Sequence, residues 1–162
     1  MKKFASIMLT IVSLTSNVYA SNSLMSLIQG KRLTLITMTG VHYPNPSGGD
    51  PFNGECPNGQ AKDAFAFRGL RADGNSATVA YDPKCTDLNF NSLLFLPLSG
   101  SRAQIGLAMG EGRPRFNFTV VEQTTVDVVC ARSVVKGFVW DDVILTCRDQ
   151  KNPKAAFIFT VE

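Results

Sequence analysis

The sequence has few of the side chains on which most catalytic and metal sites depend. Its 162 residues include one histidine, His42, and one tryptophan, Trp140. No two of its four cysteines have the Cys-x-x-Cys spacing typical of zinc sites. A Gly-x-Ser-x-Gly elbow is also missing, and no glycine-rich stretch leads into the Lys-Ser/Thr of a phosphate-binding loop. We therefore predict a non-catalytic protein without a metal or a cofactor.

Runs of like charge are missing as well. The chain has 16 Lys and Arg against 13 Asp and Glu, and its formal net charge of +3 falls to +1 without Lys2 and Lys3. Proteins that bind nucleic acids usually carry a clustered basic surface. We therefore predict no nucleic-acid partner and only weak attraction to anionic membranes.

Only one long apolar run is present, and it lies at the start of the sequence. Lys2 and Lys3 precede an apolar stretch at 4–14, and Val18-Tyr19-Ala20 has the small residues that signal peptidase requires. The run is shorter than the ~20 residues of a transmembrane helix. We predict a bacterial signal peptide at 1–20, cleavage at Ala20/Ser21, and a single periplasmic or secreted domain at 21–162 without membrane insertion.

The four cysteines predict two disulfides, because small exported domains commonly use such bonds. Three pairings are possible. We favour Cys56–Cys85 and Cys130–Cys147, since each bond closes a short loop around one predicted hairpin. Loops of this size contribute about 3 kcal/mol each in the chain-entropy treatment.

Downstream of residue 30, apolar and polar residues alternate over short segments, which is the period of half-buried strands. The preceding stretch at 23–30 predicts one helical turn that ends at Gly30. Nine strands are predicted at 32–38, 63–69, 76–82, 92–99, 102–109, 113–122, 124–131, 137–147 and 154–162.

Four hairpins join these strands, each with a register that places apolar side chains on one face. The opposed residues are Phe65 with Tyr81, Leu96 with Ile105, Leu145 with Phe157, and the set Phe116, Phe118 and Val120 with Val126, Val128 and Cys130. A two-residue Gly100-Ser101 turn places glycine where a positive φ is needed. Pro97 then occupies a hydrogen-bonded pair, which predicts an edge strand or a bulge there.

Consecutive hairpins predict an all-β fold, a single antiparallel up-and-down β-barrel of about 8–9 strands, because closure removes exposed strand edges. A β-sandwich is the alternative. The layout of a short N-terminal turn, Gly30-Lys31-Arg32 at the first strand, a long loop and successive hairpins resembles the lipocalin/calycin family. The Gly-x-Trp motif of that family is not intact here. The resemblance implies an interior that holds a small apolar molecule, or loops at the open end that grip another protein.

The segment 39–60 lacks apolar periodicity and predicts a long loop, which in a calycin-like layout would lie over the barrel mouth. A second loop, at 110–115, carries arginines whose planar side chains suit carboxylate or phosphate groups. The candidate residues for binding a ligand or a partner are His42, Tyr43, Asp50, Phe52, Arg113 and Arg115.

Two other polar groupings have simpler explanations. Asp50, Asn53 and Glu55 do not follow the spacing of a calcium-binding EF-hand loop, and Asp and Asn are common in turns. Asp141 and Asp142 would point to opposite faces of a strand, so they could not act on one substrate. Beside them we expect Trp140 in the core.

Three functions remain open. The first is a small apolar ligand held in an interior lined by Phe65, Phe67, Val79, Phe116, Phe118 and Phe157. The second is a protein-interaction module or hydrolase inhibitor that acts through rigid loops at 41–60 and 110–115. The third is a hydrolase that uses His42 as its base. The sequence leaves the identity of the ligand or partner and the oligomeric state open.

Overall fold

A computed structural model describes residues 23–57, 59–61, 65–67, 76–80, 85, 88–111 and 119–162. The predicted signal peptide, its cleavage site, Arg113 and Arg115 lie outside these ranges. The prediction of an all-β chain is confirmed. The elements are α1 (Leu24–Ile28), β1 (Leu33–Tyr43), β2 (Phe52–Cys56), β3 (Phe65–Phe67), β4 (Ser76–Ala80), β5 (Ser92–Pro97), β6 (Arg102–Glu111), β7 (Thr119–Val135), β8 (Asp142–Asp149) and β9 (Ala156–Val161).

The nine strands form one antiparallel sheet in the order β2-β1-β9-β8-β7-β6-β5-β4-β3. From β3 to β9, each strand pairs with the next one along the chain, which is the predicted up-and-down arrangement. The last strand, β9, returns to pair with β1. The sheet is not closed, because β2 and β3 are its two edges and do not pair with each other.

The sheet is strongly curled. The rings of Phe95 on β5 and Phe159 on β9 are 5.4 Å apart between centroids, although β6, β7 and β8 lie between these strands. Four strand spacings on a flat sheet would separate them by about 19 Å. The core therefore lies inside the curl. Its largest fully buried side chains are Phe52, Phe95, Phe157, Phe159, Ile28, Leu33, Leu35, Met38, Leu93, Ile105, Leu107 and Leu145.

Helix α1 packs at the end of the curl where β1 begins, and it confirms the predicted helical turn. Leu24 and Ile28 are buried on the core side. The N–H of Leu24 donates to the carbonyl of Gly100 at 2.7 Å, which ties the helix to the turn between β5 and β6. Gly30 follows the helix with a φ of +69°, a conformation that favours glycine.

The prediction of a loop over 39–60 is wrong, since β1 and β2 form a hairpin there. His42 pairs with Asn53 and Tyr43 with Phe52. Only the turn-forming residues 44–51, Pro-Asn-Pro-Ser-Gly-Gly-Asp-Pro, connect the two strands. Gly40 and Gly54 interrupt the alternation of apolar residues, so the sequence pattern does not reveal these strands.

Gly40 occupies a bulge in β1, where the register shifts between Met38 and Val41. Its φ is +63°, and a Cβ at this position would lie 2.2 Å from the carbonyl oxygen of Lys154. Only glycine combines this backbone conformation with such a close approach.

The predicted register of β5 and β6 is wrong by one residue. Leu93 pairs with Leu107, and Pro97 pairs with Ala103. The predicted turn does form, since Gly100 has a φ of +67° and the N–H of Arg102 donates to Ser99 at 3.4 Å. Next to the turn, however, the N–H of Leu98 donates to the carbonyl of Arg102 rather than to that of Ala103. This one-residue bulge turns the opposite face of β5 towards the core.

The bulge also removes the difficulty with Pro97. Leu98 and Arg102 form a hydrogen-bonded pair, so by alternation Pro97 and Ala103 do not exchange hydrogen bonds. On its other side, the described ladder of β5 with β4 ends at Phe95. On neither side of Pro97, therefore, is there a described backbone acceptor that its missing N–H leaves without a hydrogen bond.

The predicted hairpin between 113–122 and 124–131 is also wrong, because β7 is one continuous strand of 17 residues. The segment Glu122–Thr125 contains no Gly, Pro, Asn or Asp that would favour a turn. β6 pairs with the first part of β7, up to Val129, and β8 pairs with the part from Val128 onwards.

Two further registers differ from prediction. β8 and β9 pair Leu145 with Phe159 rather than Phe157, a shift of two residues that leaves the buried faces unchanged. β3 and β4 pair Phe65 with Ala80 rather than Tyr81. The predicted loop 72–74 between them lies outside the described residues.

Both predicted disulfides, Cys56–Cys85 and Cys130–Cys147, are confirmed. The bond between Cys130 and Cys147 joins directly opposed residues of β7 and β8. Such bonds indicate an oxidising compartment. Among the described residues, no helix has the length and apolarity needed to cross a membrane.

Candidate functional site

The predicted binding residues of the first hairpin do not form one surface. His42 and Asp50 are exposed, Tyr43 is half-buried, and Phe52 is 1 % exposed within the core. Nδ1 of His42 is hydrogen-bonded to Oδ1 of Asn53 on the opposed strand. The other two candidates, Arg113 and Arg115, lie outside the described residues.

Tyr43 helps to hold the β8–β9 loop in place. Its hydroxyl donates to Oδ2 of Asp149 at 2.8 Å, and Oδ1 of the same carboxylate accepts from the N–H of Lys151. Asp149 is buried, so these donors supply hydrogen bonds that its carboxylate would otherwise take from water. Burial is the main cause that raises the pKa of Tyr43 above its ordinary value, followed by the hydrogen bond to Asp149.

The connection at 44–51 is held to the start of β7. Nδ2 of Asn45 donates to Oε2 of Glu122 at 2.7 Å, and Oδ1 of Asn45 accepts from the N–H of Ser47. The connection thus reaches from β1 across to β7 at one end of the sheet. These contacts fix it in place, which is the property of a packed loop rather than of a free lid.

A shallow polar groove of about 570 Å³ lies beside His42 on the first hairpin. Asn53, Glu55, Asn152 and Lys154 supply its other polar groups. A hydrolase of the predicted kind would need His42 within hydrogen-bond reach of a serine or a carboxylate. Glu55 belongs to the lining of this groove, whereas the hydrogen bond described for the His42 ring is to Asn53.

A different surface stands out at the opposite end of the sheet. The ladder between β6 and β7 ends at the pair Arg102 and Val129, whereas β7 continues to Val135 and β8 returns from Asp142. We call residues 131–142 the arm. Every residue of the arm is exposed.

The tip of the arm, residues 138–140, presents three large apolar side chains to solvent. Phe138 is 106 % exposed, Val139 74 % and Trp140 73 %. The expectation of a core Trp140 is therefore wrong. β8 begins only at Asp142, so Trp140 lies in the connecting loop, beyond the strands on which it could pack.

The loop at the tip has a defined geometry. Nζ of Lys136 lies 2.5 Å from Oδ2 of Asp141, which bridges the loop just beyond the last strand pair, Val135 with Asp142. A Cβ on Gly137 would lie 2.0 Å from the carbonyl oxygen of Trp140. A residue without a side chain at 137 lets the chain turn this tightly.

The arm also has a backbone edge that pairs with no strand in the part of the chain that the structure describes. The N–H of Cys130 donates to the carbonyl of Ser101, so it points towards β6. Because N–H groups alternate in direction along a strand, those of Arg132 and Val134 point to the same side. The described strand on that side of β7 is β6, and it does not extend as far as Arg132. The edge is thus open to another strand.

The sequence contains a signal for this surface that periodicity misses. Phe138-Val139-Trp140 is a consecutive apolar run between Lys136-Gly137 and Asp141-Asp142. Buried strands of this chain alternate, and a connection between them is normally polar. An unbroken apolar run at a turn is therefore the pattern that marks an exposed interaction surface.

Comparison of the chain with protein-family models, with curated proteins and with solved structures gave no match. The resemblance to the lipocalin/calycin family stays a prediction.

Proposed function

We propose that this is a non-catalytic binding protein of an oxidising, extracytoplasmic compartment, periplasmic or secreted, and that it binds another protein chain through the arm. The observation that carries the proposal is the exposure of Phe138, Val139 and Trp140 on a loop closed by the Lys136–Asp141 ion pair. Tryptophan and other aromatic side chains are enriched at binding hot spots. Unpaired strand edges are sites of strand addition by other chains.

We also propose that the curled sheet rolls up towards a closed barrel. The segment before β5 contacts edge strand β2, where the N–H of Asn53 donates to Oδ1 of Asn89 and the N–H of Asn89 donates to the carbonyl of Asn53. The disulfide between Cys56 and Cys85 joins the same strand to the segment after β4. These links support a closed shape, as the lipocalin/calycin resemblance implies.

An interior site for a small apolar ligand has less support. Phe95 and Phe159 meet edge to face from opposite walls, so their rings occupy the space between those walls at this level. Of the residues expected to line such a site, Phe157 is fully buried in the core. The side chains of Phe65, Phe67, Val79, Phe116 and Phe118 are not among those described.

Native mass spectrometry of the exported protein, isolated from cells that make it naturally, tests the proposal. The variant Phe138→Ser/Trp140→Ser removes the tip, and Val121→Ser is a matched control because Val121 is 57 % exposed near the opposite end of β7. We expect a second polypeptide to remain bound to the wild type and to Val121→Ser, and to be lost from the tip variant.

Two results would contradict the proposal. A retained mass of a few hundred daltons that is equal in all three proteins would favour an interior ligand. A wild-type protein that carries no second chain would remove the reason for assigning the function to the arm.

A further inference from the structure

We propose that the chain bound by the arm is a second copy of this protein, which pairs β7 with β7 across a two-fold axis. The inference rests on the proposed function, because it takes the arm as the docking site. It follows from the backbone edge, the charges along it and the length over which it is free.

The free edge is self-complementary. Arg132 and Val134 each direct an N–H and a C=O away from β8. In an antiparallel pair of identical strands, these groups meet the same groups of the other copy, which gives about four backbone hydrogen bonds. The N–H of Cys130 is already bonded to Ser101, so the pairing is limited to the arm itself.

The two-fold axis can pass through Arg132, Ser133 or Val134, and the charges along the strand favour one of these three registers. With the axis at Arg132, this residue would lie opposite Arg132 of the other copy. With the axis at Val134, Arg132 of each copy would lie opposite Lys136 of the other copy. Like charges directly opposed across strands are destabilising. An axis at Ser133 opposes Arg132 to Val134 and Ala131 to Val135, without any pair of like charges. This register is the one we assign.

In the assigned register, the pairing also covers apolar surface. Val134 and Val135, which are 40 % and 53 % exposed, gain a neighbouring strand. Lys136 then lies opposite Cys130 of the other copy, so the tip of each arm meets that copy's turn at Ser99–Arg102. Because Trp140 is the only tryptophan in the sequence, tryptophan fluorescence reports on the environment of the tip alone.

Cysteine cross-linking tests the register directly. In the assigned pairing, Ser133 faces its own copy in a non-hydrogen-bonded pair, where the Cα atoms lie about 4.5 Å apart. This distance permits a disulfide. We expect Ser133→Cys to form a covalent dimer under mild oxidation, with Cys56–Cys85 and Cys130–Cys147 still intact by peptide mapping. Ala131→Cys is the matched control, since its opposed residue is Val135, and it should remain uncross-linked.

A second variant tests the hydrogen bonds. The N–H of Val134 points to the free edge, so Val134→Pro removes a donor there without removing one from the β7–β8 ladder. By light scattering, the wild type should have the mass of two chains and Val134→Pro the mass of one. Circular dichroism of the variant should retain the β-sheet signal, and its Trp140 emission should shift to the red of the wild type.

Each outcome has a defined consequence. Equal cross-linking of Ala131→Cys and Ser133→Cys overturns the register, and a wild type that is monomeric across the micromolar range overturns the self-pairing. If that monomer still carries a foreign polypeptide that Phe138→Ser/Trp140→Ser loses, only the identity of the partner is wrong. If it carries none, the proposed function fails together with this inference.

Discussion

At the scale of single residues, the hydroxyl of Tyr43 has the clearest energetic role outside the apolar core. It donates to Asp149, a buried carboxylate that also accepts from the N–H of Lys151. Replacing Tyr43 by Phe leaves one carboxylate oxygen without this donor. At neutral pH we expect Tyr43→Phe to lower the free energy of unfolding by about 1–3 kcal/mol.

The same contact gives stability a pH dependence with a definite sign. Burial, and then the hydrogen bond to Asp149, raises the pKa of Tyr43 above its value in the unfolded chain, which is about 10. The contribution is therefore fully present below about pH 10 and is lost as the pH rises through the folded-state pKa. Urea unfolding followed by circular dichroism at several alkaline pH values should show a steeper loss for the wild type than for Tyr43→Phe. Parallel curves would contradict this role.

At the scale of elements, β5 provides the sharpest test of the register. The structure buries Leu93 fully and leaves Leu96 36 % exposed, whereas the register predicted from the sequence turns Leu96 inward and Leu93 outward. We expect Leu93→Ala to cost about 2–5 kcal/mol. Leu96→Ala should cost less than about 1 kcal/mol, as is usual for exposed positions. Urea midpoints of the two variants, measured side by side, would contradict the observed register if they ranked in the opposite order.

The elements also show where sequence reasoning succeeds and where it fails. Alternation of apolar residues predicts most of the strands, and positive φ at Gly30 and Gly100 agrees with the predicted helix end and turn. Registers are predicted less well, because a single bulge beside the Gly100 turn moves every residue of β5 by one position. The β1–β2 hairpin is missed for a related reason, since glycines at a bulge and in the core break the pattern.

The candidate site is the least predictable part, for a physical reason. Alternation reports which side chains face the core, but it does not report how far a strand extends beyond its neighbours. Trp140 is assigned to the core by its chemistry and is exposed because β8 starts two residues later. His42 and Asp50 are exposed as expected, and yet the exposed apolar side chains of Phe138, Val139 and Trp140 lie at the other end of the sheet.

At the scale of the whole molecule, the two disulfides hold different parts of the sheet, although the chain-entropy treatment gives them similar contributions to stability. Their sequence separations are 29 and 17 residues, so removal of either bond should cost about 3 kcal/mol through the unfolded state. Cys130 and Cys147 join strands that already pair along eight positions. Cys56 instead fixes β2, whose one partner among the described strands is β1, to the segment after β4.

We therefore expect two double variants with similar global stability and different local opening. In Cys56→Ser/Cys85→Ser, edge strand β2 is held to the far side of the curl by the hydrogen bonds of Asn89 and by non-covalent packing, so its amide hydrogens should exchange faster well below the global unfolding limit. In Cys130→Ser/Cys147→Ser, the amides of β7 and β8 that bond these two strands to each other should exchange only through global unfolding. Native-state hydrogen exchange separates the two cases. If protection of β2 fell equally in both variants, Cys56–Cys85 would not be the bond that holds the edges of this sheet together.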